Sequence, residues 1–321
     1  MTAALPRTAG SPTGGLRVGI DVGGTRTKAV ALRDGAVVAR HLAPTPRDVG
    51  RRLGPVVAAV LDALRAAEGS GSVVERVGLV VPGVVDEERC RAVWSANLGW
   101  RDLDVGSELA GHVEAPVVLG HDVRAGLLGE HLAGAAAGVD DVLFVPLGTG
   151  LAAALMTRGR VVRGSAWSGE IGHVRVRTDG PRCGCGRRGC LEAVAGALAI
   201  GRAWHAAGRE GDARAVSAAV AAGDPVAQRI WTDAVDALAA ALAPVIATAG
   251  TRLVVVGGGL AAAGEVLLTP LREALAEHLP DAGELDADRI AVVRSGLGEW
   301  SGAVGAAHLD PVVASGTADL P

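Results

Sequence analysis

Cys183, Cys185 and Cys190 fall within eight positions of one another, with glycines at 184, 186 and 189 between or beside them and His173 ten residues upstream. Three thiolates and one imidazole complete a tetrahedral zinc site with no position left open, as a structural site requires. The glycines permit the tight turns that bring the thiolates together. Three free buried cysteines are the alternative, and the glycine-spaced clustering argues against it. Cys90 stands far from the group and reads as an ordinary buried thiol. The leader Met1–Gly15 lacks an apolar signal-peptide core, so metal is expected rather than disulfides.

A second chemistry is suggested by glycine turns that follow apolar runs. In Asp21-Val22-Gly23-Gly24-Thr25 an acidic residue ends the run, glycines follow, and a hydroxyl closes the turn. Glycines let backbone N–H groups approach anionic oxygens, threonine adds a donor, and the carboxylate can hold Mg²⁺ directly or through water. Gly148-Thr149-Gly150 offers the same chemistry again, and Gly257-Gly258-Gly259 would let a flat adenine or ribose lie against bare backbone. Taken singly, each also fits an ordinary hairpin or strand-to-helix turn. Two such loops facing across a cleft would make a nucleotide site.

The elements that position these residues follow from periodicity. Leu16 to Asp21 reads as a buried strand and Thr27 to Leu32 as its neighbour, with a hairpin signal at Asp34-Gly35 and a third strand after it. Arg51 to Glu68 carries Leu53, Val56, Val57, Val60, Leu61 and Leu64 at helical spacing. The β-β-β-α opening recurs: TRTKAVALRDGAVV from Thr25 and TGLAAALMTRGRVV from Thr149 match at a constant offset, with turn glycines at Gly35 and Gly159. A duplicated unit implies two halves and a cleft. Further on, Pro225 to Thr248 predicts a long helix and Leu253 to Val256 a strand. Thr269-Pro270 predicts the start of a helix that reaches Leu279. The residues after Asp310 read as a tail.

The chain has 321 residues, 49% of them hydrophobic, enough for two domains with sizeable cores. A formal net charge of −4 gives no basic field for nucleic acid or an anionic membrane. No apolar stretch approaches a membrane span, so the expected compartment is the cytoplasm. Lys28 is the single lysine among 31 basic residues and tyrosine is absent, a bias that suggests GC-rich coding rather than chemistry.

Read together, the motifs resemble the bacterial ROK sugar kinases and repressors, most closely the glucokinase branch, over roughly 16–308. The resemblance rests on DVGGT at Asp21, VPGVVD at Val81, NLGW at Asn97, GHD at Gly120, GTG at Gly148, GEIGH at Gly169, CGCGRRGCLE at Cys183 and VVVGGGL at Val254. It implies an α/β, actin-like and hexokinase-like (ribonuclease H-like) duplicated fold whose two domains close on ATP and sugar. The expected divisions are a leader at 1–15, a smaller domain at 16–122 plus about 300–310, a larger domain at 123–299 with the zinc loop, and a tail at 311–321.

By position, the resemblance makes Asp122 the general base, and Asn97, His121, Asp122, Glu170, His173 and Glu192 sugar contacts. Asp21 would position Mg²⁺. Gly23, Gly24, Thr25, Gly148, Thr149 and Gly150 would hold phosphates, Gly257, Gly258 and Gly259 the adenosine, and His173, Cys183, Cys185 and Cys190 structural zinc. Taken alone, Asp122 would read as a helix cap and Glu192 as a solvated carboxylate at a helix start.

Some positions depart from the family pattern. His121 and Arg124 stand where asparagines are usual, Val80 close to the sugar turn where glycine is common, Ala152 and Ala153 where glycines follow GTG, and Arg26 where lysine is frequent. An imidazole at 121 is expected to change charge near neutral pH.

The implied activity is ATP-dependent phosphorylation of a hexose, most closely glucose to glucose 6-phosphate, by a homodimer or homotetramer. A kinase for N-acetylmannosamine, N-acetylglucosamine or allose and a non-catalytic sugar-binding relic are the alternatives. A repressor would carry a winged-helix domain, for which the twenty residues before Asp21 leave no room. A polyphosphate-using relative would typically lack the cysteine cluster.

Overall fold

The computed structural model describes residues 14–69, 71–95, 98–148, 150–165, 167–279 and 290–311. Most of the expected leader and tail therefore lies outside the described residues. The chain divides into two units, one of residues 1–129 and 300–321, the other of 130–299.

The first unit opens with β1 (Leu16–Val22), β2 (Arg26–Arg33) and β3 (Ala36–Pro44). β1 and β2 are antiparallel, and the turn to β3 runs through Asp34 and Gly35 at φ 50° and 78°. Two left-handed residues in a two-residue turn match the strands' own twist. α1 (Leu53–Glu68) follows a 3-10 turn at Val49–Arg51, so the helix starts two residues later than its periodicity suggests, and it buries Leu53, Val57, Val60, Leu61 and Leu64. β4 (Val74–Val81), a small sheet of β5 (Val84–Asp86), β6 (Arg91–Ser95) and β7 (Trp100–Asp104), α2 (Val105–Leu109), β8 (Val117–His121) and α3 (Asp122–Ala133) complete the run. The main sheet has the order β3-β2-β1-β4-β8, with β4 parallel to both β1 and β8.

The chain enters the second unit within α3 and repeats the plan. β9 (Val142–Pro146), β10 (Ala154–Thr157) and β11 (Arg160–Val161) are antiparallel neighbours. The β10–β11 turn passes through Arg158 and Gly159 at φ 51° and 70°, the positions that the sequence offset pairs with Asp34 and Gly35. Inserted after this hairpin are α4 (Leu191–Ala195), α5 (Ala197–Ala206) and α6 (Ala213–Ala221), followed by α7 (Pro225–Ala249), β12 (Leu253–Gly257), α8 (Glu265–His278) and β13 (Ala291–Arg294). The sheet order β11-β10-β9-β12-β13 reproduces the first strand for strand, including the parallel pairs β9–β12 and β12–β13. The duplication read from fourteen residues thus extends to both sheets.

The chain then returns to the first unit as α9 (Ser301–Ala307). α9 lies close against β1 and β4: a Cβ on Gly19 would stand 1.9 Å from the Ala303 carbonyl, and one on Gly78 1.8 Å from that of Ala306.

Two expectations are corrected. Thr269-Pro270 does not begin a helix, because α8 starts at Glu265 and holds Pro270 inside it. Proline leaves the carbonyl four residues back without its N–H, and the Trp231 indole on α7 donates to that carbonyl, Val266 O, at 2.9 Å. The Thr269 hydroxyl donates instead to the Glu265 carboxylate at 2.8 Å. Among the described residues α7 is also long and apolar enough, by length and composition, to cross a membrane. Its apolar character has another cause, since residues from Ala227 to Ile246 bury into the core of the second unit. Asp224 caps this helix by accepting from the N–H groups of Val226 and Ala227, with Pro225 in the first turn.

Candidate functional site

In the first unit the chemistry gathers at strand ends. β1, buried from Val18 onward, delivers Asp21 next to the glycine turn, where its register partner across the β1–β2 pair is Lys28. The Lys28 ammonium donates to Asp21 Oδ2 at 2.9 Å, with the two side chains 19% and 10% exposed. Asp21 Oδ1 accepts nothing among the described residues, which leaves it free for a metal or a metal-bound water. β8 ends in His121, paired with Val81 of β4, and Asp122 opens α3. Asp122 Oδ1 accepts from the Val123 N–H at 2.8 Å.

Burial raises the pKa of both carboxyls above the usual range. For Asp21, Lys28 opposes the rise and Asp122 adds to it. For Asp122, the Val123 N–H, Lys28 and Arg124 oppose it. Lys28 is thus a positive charge felt by both acids, and it was missed in the sequence, where its rarity reads as codon bias.

His121 is buried, and its Nδ1 accepts from the Val123 N–H at 3.2 Å. The same Val123 N–H is shared with Asp122 Oδ1, which itself stands 3.4 Å from His121 Nδ1. Burial and the nearby Arg124 guanidinium lower the His121 pKa to about 3. This corrects the expectation of a charge change near neutrality. Arg124 itself binds Glu87 Oε1 through Nε at 3.2 Å and Nη2 at 2.9 Å, a pairing that spacing alone does not reveal. Val80 is buried with Val118, Ala125, Ala306 and Leu309. Its departure from glycine is thus a packing matter of β4.

In the second unit the expected zinc ligands converge. One ligand atom from each of His173, Cys183, Cys185 and Cys190 lies within 4.8 Å of all the others. Cys183 Sγ stands 3.6 Å from His173 Nδ1, and Cys185 Sγ 3.7 Å from Cys190 Sγ. Ligands about 2.3 Å from a tetrahedral centre are separated by about 3.8 Å, so the donor set fits zinc in type and spacing. Burial together with the neighbouring thiols pushes Cys190 up to about 12, and a divalent cation is what lets such a cluster ionise.

The remaining expected residues of this unit join the same assembly. His173 Nε2 faces Glu170 Oε2 at 3.7 Å. Glu192, in the first turn of α4, accepts from the Leu151 N–H at 3.0 Å, so it is engaged rather than merely solvated. The Ala153 N–H donates to the Gly169 carbonyl at 2.8 Å, tying the strand after Gly150 to the Glu170 loop. Leu147, which precedes Gly148, is tied to the stretch at 257–260: its N–H donates to the Gly257 carbonyl at 2.9 Å and the Leu260 N–H donates to the Leu147 carbonyl at 3.0 Å. Gly258 holds φ 76°, and a Cβ there would stand 2.4 Å from Leu147 O. In the first unit the Gly23 N–H closes the turn onto the Arg26 carbonyl, while Gly24 and Thr25 are exposed. Asn97 and Thr149 lie outside the described residues.

The family model described as "ROK family" matches residues 17–311. A glucokinase of Thermotoga maritima is 34% identical over 316 residues, covering 91% of this chain and 96% of that protein. Among solved structures, a ROK family glucokinase from Streptomyces griseus, in complex with glucose and AMPPNP, has a TM-score of 0.76 at 30% identity and covers 92% of this chain and 98% of that one. A ROK hexokinase from Thermus thermophilus has a TM-score of 0.75 at 32% identity, covering 90% and 96%. The repeated sheet is accordingly that of the actin-like, hexokinase-like two-domain fold, and the chain belongs to the ROK family.

Proposed function

We propose that this chain is an ATP-dependent hexose kinase of the glucokinase kind, converting glucose to glucose 6-phosphate. The observation that carries the reading is the desolvated Asp122 carboxyl at the end of β8, one residue from a neutral imidazole and within the field of the Asp21–Lys28 pair. A carboxylate there takes the proton of the sugar hydroxyl as its oxygen attacks the γ-phosphorus; the bond from that phosphorus to the ADP oxygen breaks, and ADP leaves.

Glu170, His173 and Glu192 bind and orient sugar hydroxyls, together with Asn97 and His121. Gly23, Gly24 and Thr25, with Gly148, Thr149 and Gly150, hold phosphates, and Gly257 to Gly259 accommodate the adenosine. Asp21 holds Mg²⁺, which supplies positive charge to the transferring phosphoryl oxygens. Zinc on His173, Cys183, Cys185 and Cys190 has a structural role, fixing the loop that leads to Glu192.

His121 favours a second reading, a kinase for an amino or epimeric sugar. The family's amide both donates and accepts, whereas an imidazole has its Nδ1 turned to the Val123 N–H and Asp122 Oδ1 and meets a sugar with a different outline and a single ring nitrogen, Nε2. A panel of hexoses and N-acetylated hexosamines with MgATP, followed by ADP release, separates the readings. Preference for glucose is expected; preference for another sugar selects the second reading, and binding without turnover of any sugar overturns both. The same reading makes the protein a cytoplasmic homodimer or homotetramer, which light scattering on the purified protein checks.

A further inference from the structure

Lys28 is the only lysine of the chain, and it is spent on the Asp21 carboxylate at 2.9 Å in a partly buried position. A structural ion pair would be an expensive use of that place, because desolvating two charges costs as much as their attraction returns. The pair also sits where further charge is unwelcome. Asp122 lies close enough for its charge to act on Asp21, and Lys28 acts on both acids. Gly302 keeps the space beside them clear, since a Cβ there would stand 2.9 Å from Asp21 Oδ2. An ammonium paired with Asp21 beside a glycine turn with exposed Gly24 and Thr25, its charge acting on Asp122 as well, has the position of a cation awaiting an anionic partner.

We propose that Lys28 is a phosphate-binding residue of this enzyme: its ammonium occupies Asp21 in the free protein, and passes to the transferring phosphoryl oxygens when a divalent cation takes over that carboxylate. The inference rests on the kinase reading above. Its chemistry is that of a compact point charge on a flexible stem, which can exchange one oxygen partner for another without rebuilding its surroundings. Two consequences follow from the geometry. The ammonium competes with free metal for Asp21, so the protein without nucleotide binds metal weakly. With nucleotide, the same charge is returned to the phosphates, so metal and nucleotide bind together better than either binds alone.

The test compares the parent with Lys28→Met and Lys28→Arg, and reads Mn²⁺ binding to the nucleotide-free protein by electron paramagnetic resonance alongside steady-state kinetics. Lys28→Met is expected to bind free Mn²⁺ more tightly, on the order of tenfold, because Asp21 loses its competitor. The same variant is expected to lose roughly 10²-fold or more in kcat/KM for ATP, and Lys28→Arg to recover part of it. A structural role predicts the opposite metal result, weaker Mn²⁺ binding together with a lowered Tm, and that outcome overturns the proposal. Unchanged ATP kinetics in Lys28→Met also overturns it. Should Lys28→Met fail to fold, Lys28→Arg carries the test: a charge that still pairs with Asp21 must keep free Mn²⁺ binding weak, and parental or tighter-than-parental values decide for and against. Failure of the kinase reading is recognised separately, as a parent protein that phosphorylates no sugar whatever its Mn²⁺ affinity.

Discussion

As the proposed general base, Asp122 would have two tasks that pull in different directions, to be basic enough to accept a proton and ionised enough to do so at working pH. Burial raises its pKa, and the Val123 N–H, Lys28 and Arg124 limit the rise. Asp122→Asn keeps shape and loses the acceptor, so turnover on the best sugar should fall by about 10²-fold or more with little change in sugar affinity; single-turnover kinetics beside sugar titration checks both. Near-parental turnover would remove Asp122 from the role of base.

His121 makes a stability prediction of definite sign. Its folded pKa is depressed to about 3 from an ordinary 6.5, so its contribution is complete above about pH 6.5 and is lost as pH falls toward 3. The loss should approach ~1.4 kcal/mol per pH unit in that window, and His121→Asn should remove that component when urea midpoints of parent and variant are compared from pH 7 to pH 4. Asp21 and Asp122, whose pKa values are raised, act in the opposite sense and are common to both proteins. At this scale the sequence was legible where types cluster, as in the cysteines. It was opaque where a role depends on what lies across a sheet: Lys28 meets Asp21 through register, and Arg124 meets Glu87 from 37 residues away.

Elements carry the second kind of dependence. The His173, Cys183, Cys185 and Cys190 cluster proposed to hold zinc immediately precedes α4, whose Glu192 is held on the Leu151 N–H. Cys185→Ser or chelation should therefore release zinc and weaken sugar binding together, since metal binding is coupled to local folding. Elemental analysis and sugar titration on the same sample check it, and a zinc-free protein with parental sugar affinity would falsify the coupling. In α8 the sequence misled because a Thr-Pro pair has a strong local meaning. What overrides it is Trp231 on α7, which serves the carbonyl that Pro270 cannot. Trp231→Phe should cost the order of 1 kcal/mol for that hydrogen bond, in addition to any packing loss.

At the scale of the molecule each unit has its own sheet and its own core. The repeat was legible because the second hairpin kept the spacing of the first, while the helices α4 to α6 and the β5-β6-β7 sheet, being insertions, have no counterpart to align with. A buried carboxylate organises the second unit near the chain's exit from it. Glu130 accepts from the Ser295 hydroxyl at 2.6 Å and from the N–H groups of Ala135, Gly296 and Leu297. Little in its neighbourhood of sequence signals this, because three of these four donors, Ser295, Gly296 and Leu297, lie more than 160 residues on. Glu130→Ala strands these donors and should destabilise the second unit by about 3 kcal/mol. Hydrogen exchange reads the effect locally: the amides of Gly296 and Leu297 should lose protection while those of β1 keep theirs.

The single lysine has a practical consequence. Nearly every protein presents amine chemistry with a scatter of surface targets, but here a reagent that acylates amines has two, the α-amino group and the side chain paired with Asp21. Carbamylation by cyanate, acetylation by activated esters and attachment of amine-coupled dyes would therefore, apart from the terminus, all converge on the Lys28–Asp21 ion pair. The rate of labelling beyond the chain terminus then reports how accessible the Lys28 ammonium is while paired with Asp21. If Lys28 binds phosphate as proposed, immobilisation through amines should silence the molecules it captures at Lys28.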